Sequence, residues 1–127
     1  MAKNNKQTIL VVEDEVSLLG ALAEKLGHEG FFVLKARNGQ EGLEVALKEH
    51  PDLILLDIIM PVMDGTTMFK ELRKNSWGKK AKVVLLTNLD DSEKMAESIL
   101  LGAYGYLVKS NWKLKDVIVK VRDVLAK

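Results

Sequence analysis

Short apolar runs, separated by longer segments of helical spacing, decide what this chain can fold into. Strands are expected at Thr8–Val12, Phe31–Lys35, Leu53–Leu56, Lys82–Leu86 and Tyr104–Val108. Between them apolar residues recur at helical intervals. Leu18, Leu19, Leu22 and Leu26 form one stripe, and Leu43, Ala46 and Leu47 a shorter one. Leu114, Val117, Ile118, Val121 and Leu125 form a third, while Met95, Ile99 and Leu100 form the weakest. Strands that are apolar throughout and alternate with helices build a parallel sheet buried on both faces. Right-handed crossovers place the helices on both sides of it. The expected class is therefore α/β, a doubly wound five-stranded parallel sheet, with the residue pattern leaving two common strand orders open.

The ends of these runs are polar. Ile9–Val12 leads into Glu13-Asp14, Leu53–Leu56 into Asp57, Val83–Leu86 into Thr87, and Tyr106–Val108 into Lys109. Parallel strands share one direction, so their C-terminal ends gather on one edge, where α/β proteins bind ligands. Three carboxylates, a hydroxyl and an amine meet there. Mg²⁺ takes hard oxygen ligands, typically one or two carboxylates with water and phosphate oxygens. Glu13, Asp14 and Asp57 suit such a site, and their mutual repulsion calls for a cation or a lysine. Asp57 could serve as a ligand only, or also as a nucleophile toward phosphorus. A transferred phosphoryl group would then need a cation and a hydrogen-bond donor, roles open to Lys109 and Thr87.

Composition narrows the field. The 127 residues suit one domain, with no second domain or linker expected. With 19 basic and 18 acidic residues the chain has no polyanion-seeking excess, so nucleic-acid binding by this chain alone is not expected. The absence of cysteine excludes disulfides, thiolate catalysis and cysteine-based zinc sites. The polar stretch from Met1 to Gln7 lacks the apolar core of a signal peptide, and no apolar run is long enough to cross a bilayer. The expectation is a cytoplasmic protein without a membrane partner.

Taken together, Glu13-Asp14, Asp57 followed by Met60-Pro61 and Asp64-Gly65, Thr87, and Tyr106 three residues before Lys109 resemble the receiver domain of two-component response regulators. The resemblance runs from Thr8 to about Leu125. It implies a (βα)5 flavodoxin-like fold with strand order 2-1-3-4-5, of the single-domain chemotaxis type. It also implies phosphorylation of an aspartate by a sensor histidine kinase or phosphotransfer protein, with Mg²⁺ as cofactor and an unidentified downstream protein as target. By position, Asp57 resembles the phospho-acceptor and Asp14 a direct Mg²⁺ ligand. Glu13 would act nearby through water, and the Ile59 carbonyl would be a third ligand. Thr87 and Lys109 would contact the phosphoryl group. Thr87 and Tyr106 would form the switch that remodels the face made by the fourth helix, fifth strand and fifth helix.

Two departures from the family pattern carry expectations. Ser110 stands where the family usually has proline after a cis bond. A cis bond to a non-proline residue costs roughly 2.5–4 kcal/mol, yet Lys109 must still reach the phosphoryl group, so a cis Lys109–Ser110 bond held by tertiary contacts is expected. Asn88 replaces a small residue after Thr87, narrowing access to Asp57 or adding a donor. Ile59 and Leu89 are apolar at positions that govern phosphoryl loss in the family. With no base to orient an attacking water, slow autodephosphorylation is expected.

Capping boxes are expected at Asn38-Gly39-Gln40-Glu41 and Asp90-Asp91-Ser92-Glu93, and a helix-starting turn at Asp64-Gly65-Thr66. Gly27 and Gly30 bracket the first helix exit, and Gly102 follows the fourth helix. His28 and His50 read as helix-end residues rather than ligands, and Trp77 and Trp112 as half-buried. Trp112 is a candidate partner anchor, and Arg73-Lys74 with Lys79, Lys80 and Lys82 reads as solvated surface. Three other functions compete with this reading. A flavodoxin-like cofactor binder would need a phosphate-cradling loop where this chain has Glu13-Asp14-Glu15. A phosphatase of the haloacid dehalogenase type would need an aspartate at position 59. A degenerate receiver that binds protein without phosphorylation would not need the intact acidic set.

Overall fold

A computed structural model describes residues 6–88 and 92–127. Its strands are β1 (Thr8–Val12), β2 (Phe32–Ala36), β3 (Leu53–Asp57), β4 (Val83–Thr87) and β5 (Gly105–Val108). The helices are α1 (Val16–His28), α2 (Gly39–Glu49), α3 (Gly65–Arg73), α4 (Ser92–Leu100) and α5 (Leu114–Leu125), with a 3-10 turn at Gly78–Lys80. All strand pairs are parallel, in the order β2-β1-β3-β4-β5. The strand order left open by the residue pattern is thus the one the receiver resemblance implied.

The pleat sorts the apolar residues. Ile9 and Val11, Leu53 and Leu55, and Val84 and Leu86 join Leu19, Leu22, Leu26, Val117, Val121 and Val124 beneath α1 and α5. Leu10 and Val12, Ile54 and Leu56, and Val83 and Leu85 face α2 and α3, where Met68, Phe69 and Leu72 meet them. Alternate residues pointing to opposite faces explain why the central strands carry no polar side.

Four strands differ from expectation by one residue at one or both ends. β2 begins at Phe32 because the Phe31 amide still closes the exit of α1 on the Leu26 carbonyl at 3.1 Å. β3 and β4 extend through Asp57 and Thr87, so these two are the last rungs of the ladder rather than loop residues. β5 is recognised from Gly105, although the Tyr104 amide already donates to the Val83 carbonyl at 2.8 Å.

The stripe expected for α4 is corrected. Leu100 is 87% exposed and Ile99 45% exposed, while Ser98 is the helix's buried residue. Of the expected stripe Met95 does pack partly against the core, where Leu101 joins it. A polar partner on α3 accounts for this rotation. Thr66 and Ser98 share a buried hydrogen bond between hydroxyls at 3.0 Å.

The caps follow local chemistry. Asn38 accepts from the Glu41 amide at 2.9 Å, but Glu41 accepts from Arg37 rather than Asn38, so the expected box closes one residue early. Asp64 caps α3 by accepting from the Thr67 amide at 2.8 Å. The second expected box falls partly on residues 89–91, outside the described residues. His50 ends α2 in the left-handed region at φ 49°, and its ring stacks on Trp77 at 4.4 Å. Among the described residues no helix is long and apolar enough to cross a membrane.

Candidate functional site

The chain crosses β1 to β2 in one direction and β3 onward in the other, so a crevice opens between the C-terminal ends of β1 and β3. Glu13 and Asp14 leave β1 there, and Asp57 ends β3. Their carboxylate oxygens lie within 4.8 Å of one another, with Glu13 and Asp57 buried and Asp14 exposed. This is the set the sequence brought together.

Lys109 enters from beyond β5. Its amide donates to the Thr87 carbonyl at 2.7 Å, extending the β4–β5 ladder by one bond. Its Nζ reaches 2.9 Å from Glu13 Oε1 and 3.1 Å from Asp57 Oδ1. The described residues contain no cis peptide bond, which corrects the expectation for Lys109–Ser110. The ladder bond at the Lys109 amide positions its backbone, and the side chain spans to the carboxylates from a trans geometry. A turn from the Asn111 amide to the Val108 carbonyl, 2.9 Å, carries the chain away.

Electrostatically the cluster is short of positive charge. Burial raises the Asp57 carboxyl, the charge on Glu13 raises it further, and Lys109 only partly opposes them, leaving it at about 7. Burial pulls Lys109 down, but the facing Glu13 and Asp57 carboxylates outweigh it and hold its ammonium above the usual lysine range. Glu13 Oε2 accepts from the Glu15 amide at 3.1 Å. Oε1 is buried, and the Lys109 ammonium at 2.9 Å is the contact it makes. Three carboxylates gathered within 4.8 Å and facing one ammonium leave negative charge uncompensated, and such a donor set fits a divalent cation.

The loop after β3 is tightly constrained. The Gly65 amide donates to the Ile58 carbonyl at 2.7 Å. A side chain at Gly65 would fall inside the van der Waals shell of the Asp57 carbonyl oxygen. Met63 donates to Pro61 at 2.7 Å across Val62, whose φ of 69° is strained for a β-branched residue. Ile59 lies 45% exposed on this loop.

Thr87 is buried, and its hydroxyl donates to the Asn88 carbonyl at 2.9 Å. Tyr106 stands outside the cluster, 45% exposed, in an open groove shared with Trp112, Asp116 and Lys120. The structure therefore gathers Glu13, Asp14, Asp57 and Lys109, and leaves Tyr106 apart. Leu89 lies outside the described residues.

The response regulator receiver domain family matches residues 9–122. This chain belongs to that family. Similar proteins include the chemotaxis protein CheY of Halobacterium salinarum, 32% identical over 92% of this chain and 95% of that protein. A probable transcriptional regulator, ycf27, of Porphyridium aerugineum is 37% identical over 94% of this chain but only 48% of its own length. The receiver chain spans about half the length of the first curated relatives it matches. Among solved structures, CheY4 of Vibrio cholerae covers 94% of this receiver at 31% identity and a TM-score of 0.86, with 99% of its own chain covered. A putative response regulator of Chloroflexus aurantiacus covers 97% at 28% identity and a TM-score of 0.87, with its whole chain covered.

Two contacts of this receiver were not visible in its sequence. Arg73 donates to four carbonyls, those of Gly78, Ala81, Leu101 and Gly102, at 2.6 to 3.2 Å. Lys94 pairs with Asp64 at 2.8 Å. Both join segments far apart in the chain, and neither residue stands in a local pattern that names its partner.

Proposed function

We propose that this receiver accepts a phosphoryl group on Asp57 from a histidine kinase or phosphotransfer protein and thereby changes a protein-binding face. The observation that carries the reading is Lys109 bridging Glu13 and Asp57 at the open end of the sheet. Asp14, Asp57 and the Ile59 carbonyl would hold Mg²⁺, with Glu13 acting through water. Bound there, the cation would offset the carboxylate charge and the charge on the phosphoryl oxygens.

The reaction asks little covalent chemistry of the protein beyond positioning. An Asp57 carboxylate oxygen attacks the phosphorus of a phosphohistidine whose ring is protonated at its other nitrogen. The new P–O bond forms as the P–N bond breaks, and its electron pair returns to the ring, which leaves as neutral imidazole. Asp57 must be ionised to attack, and its raised carboxyl makes it a poor nucleophile until positive charge enters the cluster. Lys109 supplies part of that charge and would then contact the phosphoryl oxygens.

The switch follows from Thr87. Its hydroxyl is held by the Asn88 carbonyl, and Tyr106 stands outward, which we read as the resting arrangement. A phosphoryl oxygen on Asp57 would compete for that hydroxyl, favouring a second packing in which Tyr106 turns inward. The downstream protein would read the face of α4, β5 and α5, and the balanced charge favours a protein target over nucleic acid.

Treatment with acetyl phosphate and Mg²⁺, followed by mass spectrometry, should place one phosphoryl group on Asp57 and none on Asp57→Asn. Beryllofluoride with Mg²⁺ should perturb the Trp112 emission beside the Tyr106 groove. The absence of both the modification and any Mg²⁺-dependent spectral change would sink the reading.

A further inference from the structure

The seam between α3 and α4 is polar from end to end. Asp64 pairs with Lys94, Thr66 shares its hydrogen bond with Ser98, Lys70 pairs with Glu97, and Arg73 donates to the Leu101 carbonyl. Ser98 is the buried residue of α4, and Ile99 and Leu100 face outward. Met95 is the apolar residue of α4 that packs partly against the core, and directional polar contacts to α3 supply the rest.

One of these contacts also touches the site. Asp64 uses Oδ1 to cap α3 and Oδ2 to hold Lys94. Asp64 closes the loop that runs from Ile58, and the neighbouring Gly65 amide pins that loop at the Ile58 carbonyl. Burial raises the Asp64 carboxyl, but the Lys94 hydrogen bond, the Thr67 amide and the Lys94 charge together hold it below the usual range.

We propose that Lys94 is a positioning residue, which couples α4 to the loop carrying Ile59 through the two-sided Asp64 carboxylate. The inference deepens the phosphorylation reading by naming a second route, besides Thr87, between the acidic cluster and α4. Displacement of the loop strains the Lys94 contact, and release of α4 frees Asp64 to its cap alone.

Hydrogen–deuterium exchange in a chelating buffer tests this with no cation or phosphoryl donor present, so its outcome is independent of whether Asp57 is phosphorylated. Asp64→Asn keeps a good N-cap while removing the charge. The pair is partly exposed, so Lys94→Gln and Asp64→Asn should each speed exchange on the order of threefold. The change should appear in both Ser92–Leu100 and the loop from Ile58 to Asp64, and Lys94→Arg should restore most of the protection. The double variant should exchange no faster than either single one. An additive double variant, or a Lys94→Gln protein whose loop exchanges as before, would overturn the proposal.

Discussion

Asp57 is the residue where burial and charge conflict most. In the unfolded chain its carboxyl ionises near the usual aspartate value of about 4, whereas in the folded, cation-free protein it holds its proton to about 7. The native state thus binds the extra proton between those values, and stability should fall as pH rises through that window. Denaturant unfolding in chelator should find Asp57→Asn more stable than the parent at pH 8, by on the order of 2 kcal/mol, with the gap closing toward pH 5. Equal stabilities at pH 8 would contradict the conflict. Ile59, exposed beside the cluster, offers no group to orient water. Replacing it with asparagine should therefore speed loss of phosphate from Asp57 about tenfold in a chase with excess chelator, one orienting hydrogen bond being worth roughly 1.4 kcal/mol. Val62 holds a left-handed backbone that suits glycine. Val62→Gly should raise the unfolding midpoint, by about 1 kcal/mol in free energy, since the side chain is 81% exposed and little packing is lost. The placement of Glu13, Asp57 and Thr87 at strand ends was legible because each closes an apolar run. The trans bond before Ser110 was not, because the ladder bond that positions Lys109 joins residues 22 positions apart.

Among the elements, α4 departs furthest from what its sequence suggested. Ile99 and Leu100 point outward, Met95 is only partly buried, and the helix's buried contact is between two hydroxyls. Apolar periodicity cannot reveal such a helix, since the pattern presumes that apolar residues seek the core. The helices α1 and α5 were legible for the opposite reason: Leu19, Leu22, Leu26, Val117 and Val121 cover one sheet face and have no polar rival. Arg73 shows the same blind spot at the other end of α3. Its guanidinium, 4.7 Å from the Phe69 ring centroid, serves carbonyls from two separate segments. Arg73→Ala would orphan them, and should cost about 2–3 kcal/mol in equilibrium denaturation. Arg73→Lys should recover little of it, because an ammonium lacks the planar fork that reaches several acceptors at once.

For the molecule as a whole, five parallel strands, two covered faces and one acidic edge were predictable, and the resemblance chose the strand order. A cation bound at that edge binds only the folded chain, so it should stabilise the whole domain by mass action. At a Mg²⁺ concentration about 100 times the dissociation constant the gain should be about 2.7 kcal/mol in thermal or denaturant unfolding. Asp14→Asn should lose most of that gain while folding normally without metal, since its side chain is exposed. A gain unchanged in Asp14→Asn would place the cation elsewhere. The Arg73 clamp has one more consequence, a mechanical one. It grips the chain at Leu101 and at Gly102, whose φ of 92° turns the backbone sharply. Beyond that grip α4 is a lever about 13 Å long, at 1.5 Å per residue. With its fulcrum there, a swing of roughly 10° would carry the far end about 2 Å, enough to break the contact at Lys94 while leaving the grip at Arg73 nearly unmoved.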